Sequence, residues 1–174
     1  MFNRDAALQA LEELASVLAA RGIEGRLFVV GGAAMAIAFD ARRMTRDIDA
    51  VFEPKSQVYN AAHEVGERLG LPDDWLNDAV KGFVPGTDPE ALPIFVRPGL
   101  AVSAASARFL LAMKLRAARA EQDVGDIRFL ANLLGLRTRD EVLRVATERY
   151  SAEDLPPRAR FLVEELFGHE GDPV

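Results

Sequence analysis

The sequence predicts an α/β (α+β) fold, a small mixed sheet with flanking helices followed by a helical C-terminal half. Three observations predict it. Short apolar runs with strand character fall between segments of helical periodicity in the first hundred residues. The apolar residues of 6–20 and 57–69 recur at helical spacing. From about residue 103 onward the pattern is helical throughout, punctuated by Ser, Thr, Gly and Pro.

The elements follow in order. Leu8, Leu11, Leu14, Val17 and Leu18 place one apolar stripe on a helix over 6–20, with Glu12 and Glu13 facing out and Gly22 as its stop. Residues 27–30 read as a buried strand closed by Gly31 and Gly32. Residues 33–39, AAMAIAF, read as a short apolar helix whose small residues allow close packing on a sheet. In MTRDIDAVF, Ile48, Ala50 and Phe52 alternate with Asp47, Asp49 and Val51, the period of a strand with one apolar and one mostly polar face. Glu53-Pro54 ends it. A helix over 57–69 buries Val58, Ala61, Ala62, Val65 and Leu69, and Gly70 caps it.

Trp75, Leu76, Val80 and Phe83 are expected to anchor a short helix and a loop. Residues 93–96 and 100–102 form two strands around the turn Arg97-Pro98-Gly99. A helix capped by Ser103 or Ser106 runs to about residue 120, a second covers about 122–134, and Gly135 ends it. Thr138 with Glu141 makes a capping box for a third, and a fourth follows Pro156-Pro157. The domain organisation expected is an α/β core over 1–102 and a helical region over 103–174.

Composition sets limits. With 174 residues and 49% apolar content the chain suits one domain, or one domain with a helical extension. The absence of cysteine removes disulfides, thiolate catalysis and sulfur-bound zinc. The two histidines, His63 on a solvated helix face and His169 in the tail, do not suggest zinc. The N-terminal residues lack a signal peptide's apolar core and no apolar run reaches membrane-spanning length, so a soluble cytoplasmic protein with no membrane partner is expected. A net charge of −6 argues against a protein that coats DNA. Local basic clusters, Arg42, Arg43 and Arg46, and Lys114, Arg116 and Arg119, leave a basic cleft open.

Asp47 and Asp49, two apart on a strand, leave the same face roughly 6–7 Å apart at Cα. Two carboxylates aimed at one point repel unless a cation neutralises them, and Mg²⁺ takes oxygen ligands while keeping substrate phosphate in its shell. A lone D-x-D is most often a solvated strand face. The Gly31-Gly32 turn, between a strand and a helix, offers backbone N–H groups where phosphate is favoured, although a glycine pair alone is more often an empty tight turn. Arg42, Arg43 and Arg46 read equally as phosphate or RNA-end contacts and as an ordinary basic loop. Trp75, with Asn77 and Asp78 beside it, reads better as a core or lid anchor than as a base-stacking platform. The charges of MKLRAARAEQDVGDI read in isolation as a solvated helix surface laced with i,i+3 and i,i+4 pairs, yet Lys114 lies amid Leu110, Leu111, Met113 and Leu115, which suggests a partly buried stem reaching a polar site. Asp123 and Asp126 share one helical face.

The stretch VVGGAAMAIAFDARRMTRDIDAVF resembles the signature of the nucleotidyltransferase superfamily, a glycine pair with a small residue followed by T-x-D-x-D. LPDDWLNDAVKGFVP and FLLAMKLRAARAEQDVGDIRFL extend the likeness to small bacterial nucleotidyltransferase-like proteins related to the AbiEii and MenT toxins. The resemblance implies a minimal nucleotidyltransferase fold. It implies Mg²⁺, or Mn²⁺ in its place, on Asp47 and Asp49, and an NTP held by Gly31, Gly32 and Lys114, with Arg46 as a nucleotide contact on the functional reading of its basic cluster. It implies Asp126 as a residue that orients Lys114 or assists proton transfer. The acceptor it implies is a hydroxyl on a tRNA or other RNA end, a protein or a small molecule, and the toxin branch implies an antitoxin partner. Two departures stand out: Ala33 replaces the usual Ser or Thr, and PIFVRPGLAV carries no third metal carboxylate. The expectation is a Mg²⁺-dependent nucleotidyltransferase. The alternatives are a non-catalytic nucleotide-binding or regulatory protein on the same fold, and an interaction module with an acidic surface.

Overall fold

A computed structural model describes residues 1–39 and 44–168 of the chain. Arg42, Arg43 and His169 lie outside the described residues. The chain divides into two compact units, Met1–Val84 with Pro89–Ala105, and Pro85–Asp88 with the residues from Ser106 onward.

The first unit is mixed α/β, as expected. Helix α1 spans Arg4–Ala20 and starts two residues earlier than the periodicity indicates, because the Asn3 side chain accepts from Ala6 N and caps it. Strand β1 is Gly25–Val29. Helix α2, Gly31–Ala34, runs into a wider π-type turn over Met35–Phe39. Strand β2 is Ile48–Glu53, and helix α3 is Lys55–Leu69 with Gly70 left-handed at its end. A two-residue strand β3, Leu76–Asn77, leads into a 3₁₀ turn over Ala79–Phe83. Strands β4, Leu92–Arg97, and β5, Leu100–Ala104, form a hairpin.

These strands form one sheet in the order β3-β2-β1-β5-β4. β1 is antiparallel to β2 and parallel to β5, and β2 is parallel to β3. The hairpin tip packs tightly on α1. Gly99 has φ +87°, and a Cβ there would lie 2.4 Å from both Ala15 O and Ala19 N. Only glycine fits such a backbone approach.

Two expectations for this unit are corrected. Leu69 is 36% exposed and not part of the apolar face, since it lies in the last turn of α3, where the left-handed Gly70 ends the helix. Phe83 does not anchor the 71–90 segment and is 58% exposed. The anchors are Trp75 and Leu76. Trp75 is fully buried against Gly66, and its indole N–H donates to Ala62 O at 2.9 Å. Ile48 N donates to Trp75 O at 2.7 Å, so this segment extends the sheet.

The second unit is helical. α4 is Ala107–Ala117, α5 Ala120–Leu133, α6 Arg139–Thr147 and α7 Pro157–Phe167. Ser106, not Ser103, caps α4, because Ser103 belongs to β5. The Thr138–Glu141 capping box forms as its spacing predicts. No described helix is long and apolar enough to cross a membrane.

Candidate functional site

The alternation in 47–52 holds in three dimensions. Ile48, Ala50 and Phe52 are buried, whereas Asp47, Asp49 and Val51 are only partly so, which puts both carboxylates on the face away from the core. Asp47 itself lies one residue before β2, in a bend fixed by Thr45. The Thr45 hydroxyl donates to Asp47 O at 2.9 Å, and Thr45 is bridged on its other side to Phe2 through reciprocal backbone hydrogen bonds.

The glycine turn and the carboxylates meet. Val29 pairs with Ala50, and Val30 N donates to Asp49 O at 2.9 Å, so the chain leaves β1 directly beside Asp49. Gly31 is left-handed, with φ +62°, and a Cβ on it would lie 3.2 Å from Asp49 Oδ2. A Cβ on Gly32 would lie 3.0 Å from Thr45 Oγ1. Each glycine therefore lies against one side chain of the T-x-D-x-D stretch. The first N–H groups of the helix that begins here have no acceptor within it. Ala33 is buried, so the methyl that replaces the expected hydroxyl packs inward.

β3 flanks the pair on the other side. Its register sets Leu76 beside Ile48 on the core face and Asn77 beside Asp49 on the carboxylate face. Asn77 Oδ1 accepts from Ala79 N at 3.2 Å. The next residue, Asp78, accepts from Tyr59 OH at 2.7 Å and pairs with Lys55 Nζ at 2.6 Å. The Lys55 contact first, then that of Tyr59, holds the Asp78 carboxyl below the usual carboxylate range. The group Trp75, Asn77 and Asp78 thus separates into a core anchor, a neighbour of Asp49 and a structural ion pair. A two-residue strand is too short to show a period, and so the sequence concealed Asn77's position. β4 and β5, which carry no acid, do not adjoin β2.

Arg46 is exposed, 3.5 Å from Asp74 Oδ2. Among the described residues no group of three or more Asp, Glu, His and Cys side chains is disposed to hold a metal ion. Asp47 and Asp49 nonetheless fit magnesium. They are hard oxygen donors two residues apart, Asp47 in the bend before β2 and Asp49 on the strand, and Mg²⁺ is commonly held by one or two carboxylates with substrate phosphates completing its shell. The space a Gly31 side chain would fill is kept open beside Asp49 Oδ2.

The second unit places Lys114 and Asp126 together and adds Asp123. Lys114 is largely buried, and its Nζ lies 2.8 Å from Asp123 Oδ1 and 2.7 Å from Asp126 Oδ2. Asp123 is fully buried and also accepts from Arg119 N at 3.0 Å and Arg119 Nε at 3.3 Å. Burial pushes the Asp123 carboxyl up, but the Lys114 and Arg119 contacts outweigh it and hold it below the usual range. Asp123 braces the corner between α4 and α5, where Ala118 adopts a left-handed conformation with φ 44°. The shared face of Asp123 and Asp126 was legible from their spacing. That Asp123 is the deeper of the two was not.

Comparison of the chain with protein-family models, curated proteins and solved structures found no match in any of the three.

Proposed function

We propose that this protein is a Mg²⁺-dependent nucleotidyltransferase that moves a nucleoside monophosphate from an NTP to a hydroxyl acceptor. The observation that carries the reading is the nearness of the Asp49 carboxylate to Gly31, where a Cβ would lie 3.2 Å from Oδ2, so that the acidic pair and the glycine turn border one place. Asp47 and Asp49 would hold the cation, which when bound supplies charge neutralisation to the triphosphate. The N–H groups at Gly31 and Gly32 would receive phosphate oxygen. The acceptor oxygen bonds to the α-phosphorus as the α–β bridging P–O bond breaks, pyrophosphate leaves and the acceptor loses its proton.

By resemblance, Lys114 is assigned to phosphate contact and Asp126 to its support, and the charge of Arg46 beside the Asp pair assigns it to the nucleotide. The buried stem and doubly held ammonium of Lys114 support a charge kept in a fixed position. An RNA end such as tRNA, a protein or a small molecule would serve as acceptor, and the toxin-like branch would add an antitoxin partner.

The test is label transfer. Purified protein is incubated with each α-labelled NTP and Mg²⁺ or Mn²⁺, with and without total RNA, beside Asp49→Asn. Label in RNA or protein that disappears in the variant supports the proposal and names the acceptor class. Two features of the sequence, Ala33 in place of Ser or Thr and the lack of an acid in PIFVRPGLAV, favour one second reading, nucleotide binding without turnover. Metal-dependent NTP binding with no transfer would select it.

A further inference from the structure

Asn77 is the residue that faces Asp49 across the β2–β3 pair. In-register neighbours on adjacent strands share a face and stand about 4.8 Å apart. The core face of the same pair confirms the alternation, with Ile48 and Leu76 both buried, while Asp49 and Asn77 are partly exposed. Asp49 therefore has the glycine turn on one side and a carboxamide on the other.

That carboxamide is fixed. Its backbone lies between two anchors, the buried Trp75 with its bond to Ala62 O, and Asp78 with its bonds to Tyr59 and Lys55. Its amide orientation is assigned by chemistry, because Ala79 N–H is a donor and only Oδ1 can accept from it. The Nδ2 group, a donor without charge, is the remaining end of the side chain. A neutral donor here adds nothing to the attraction of Asp47 and Asp49 for a cation, but it can hydrogen-bond an anionic oxygen brought beside them.

We propose, resting on the reading above, that Asn77 is a substrate-contacting residue of the Asp47–Asp49 site, and that its neutrality makes divalent-cation binding depend on a nucleoside triphosphate. The carboxamide donates to an oxygen of the bound substrate. Held by Asp47 and Asp49, the cation does not have a full shell until phosphate oxygens complete it. Metal and nucleotide therefore bind as a pair, and the site does not retain metal between turnovers.

The discriminating variant is Asn77→Asp. It keeps an oxygen for Ala79 N–H, so a purely structural role is preserved, while it replaces the donor with a third negative charge. A divalent cation about 6 Å from an added unit charge gains about a factor of ten in affinity even at the dielectric of water. Mn²⁺ binding is measured by electron paramagnetic resonance without nucleotide, for the wild type, Asn77→Asp and Asp49→Asn. Binding of each of the four ribonucleoside triphosphates is then measured with Mn²⁺ and with EDTA.

The expected result is weak Mn²⁺ binding by the wild type alone, and binding about tenfold or more tighter in Asn77→Asp. Triphosphate binding should require Mn²⁺ in the wild type and be lost in Asp49→Asn. Equal Mn²⁺ affinity in wild type and Asn77→Asp overturns the inference while leaving the Asp47–Asp49 reading intact, provided Asp49→Asn still loses nucleotide. Unchanged binding in Asp49→Asn sinks the underlying reading instead. Should Asn77→Asp not fold, the wild type still decides. Mn²⁺ held at about micromolar affinity or tighter without nucleotide would overturn the inference.

Discussion

Replacing Asp123 by asparagine tests the buried ion cluster of the second unit. The wild-type carboxylate offers Oδ1 to Lys114 Nζ and Oδ2 to the backbone and guanidinium of Arg119, at zero exposure. Asparagine has one acceptor oxygen. Whichever way its amide turns, an NH₂ group meets either the Lys114 ammonium or the Arg119 N–H, and that donor loses its acceptor. Removing one partner of a buried pair costs about 3–5 kcal/mol. Asp126, 2.7 Å from Lys114 Nζ, still compensates the ammonium, so the lower end, about 3 kcal/mol, is expected. For a chain of this size that corresponds to a fall in Tm of roughly 6–12 °C.

The same substitution carries a pH signature. The folded Asp123 carboxyl is held below its unfolded value of about 3.9, so its stabilisation is fully present above that pH and is lost as pH falls through the folded value. Once protonated, aspartic acid is nearly as poor a partner for Lys114 as asparagine. The stability gap between wild type and Asp123→Asn should therefore be full at pH 7 and narrow as pH falls below about 4. Urea unfolding followed by far-ultraviolet circular dichroism across that range reads both. A gap below about 1 kcal/mol at pH 7, or one that stays flat as the pH falls, would refute the cluster as a stabilising element.

Two further outcomes follow from backbone geometry. Gly31→Ala should lose about 1–2 kcal/mol from its left-handed conformation and should also displace the Asp49 carboxylate, 3.2 Å from the new methyl. Metal-dependent triphosphate binding, measured by calorimetry, should therefore fall about tenfold or more while the fold persists, and equal binding would separate the turn from the site. Gly99→Ala puts a Cβ 2.4 Å from the backbone of α1 at φ +87°, so a loss of roughly 3 kcal/mol or more is expected in urea unfolding.

Much of this architecture is written in local pattern. The alternation of Ile48, Ala50 and Phe52 with Asp47, Asp49 and Val51 gives β2 and its faces, because side chains on a strand reverse every residue. The capping box at Thr138 and Glu141 and the left-handed Gly70 are equally local, since each satisfies backbone groups within one helical turn. The acidic pair and the glycine turn were visible as candidates for the same reason.

Tertiary structure decided what depends on partners distant in sequence. No periodicity reveals that Leu76–Asn77 joins the edge of β2, because two residues have no period and their placement comes from Trp75 buried under α3. The rank of Asp123 over Asp126 depends on burial and on the left-handed corner at Ala118, neither encoded by an i,i+3 spacing. Residue type, read locally, limits which side chains can hold a cation or a phosphate. Only the pairing of β1, β2 and β3 determined that Gly31, Asp49 and Asn77 stand side by side, because strand register is a property of the sheet and not of any one strand.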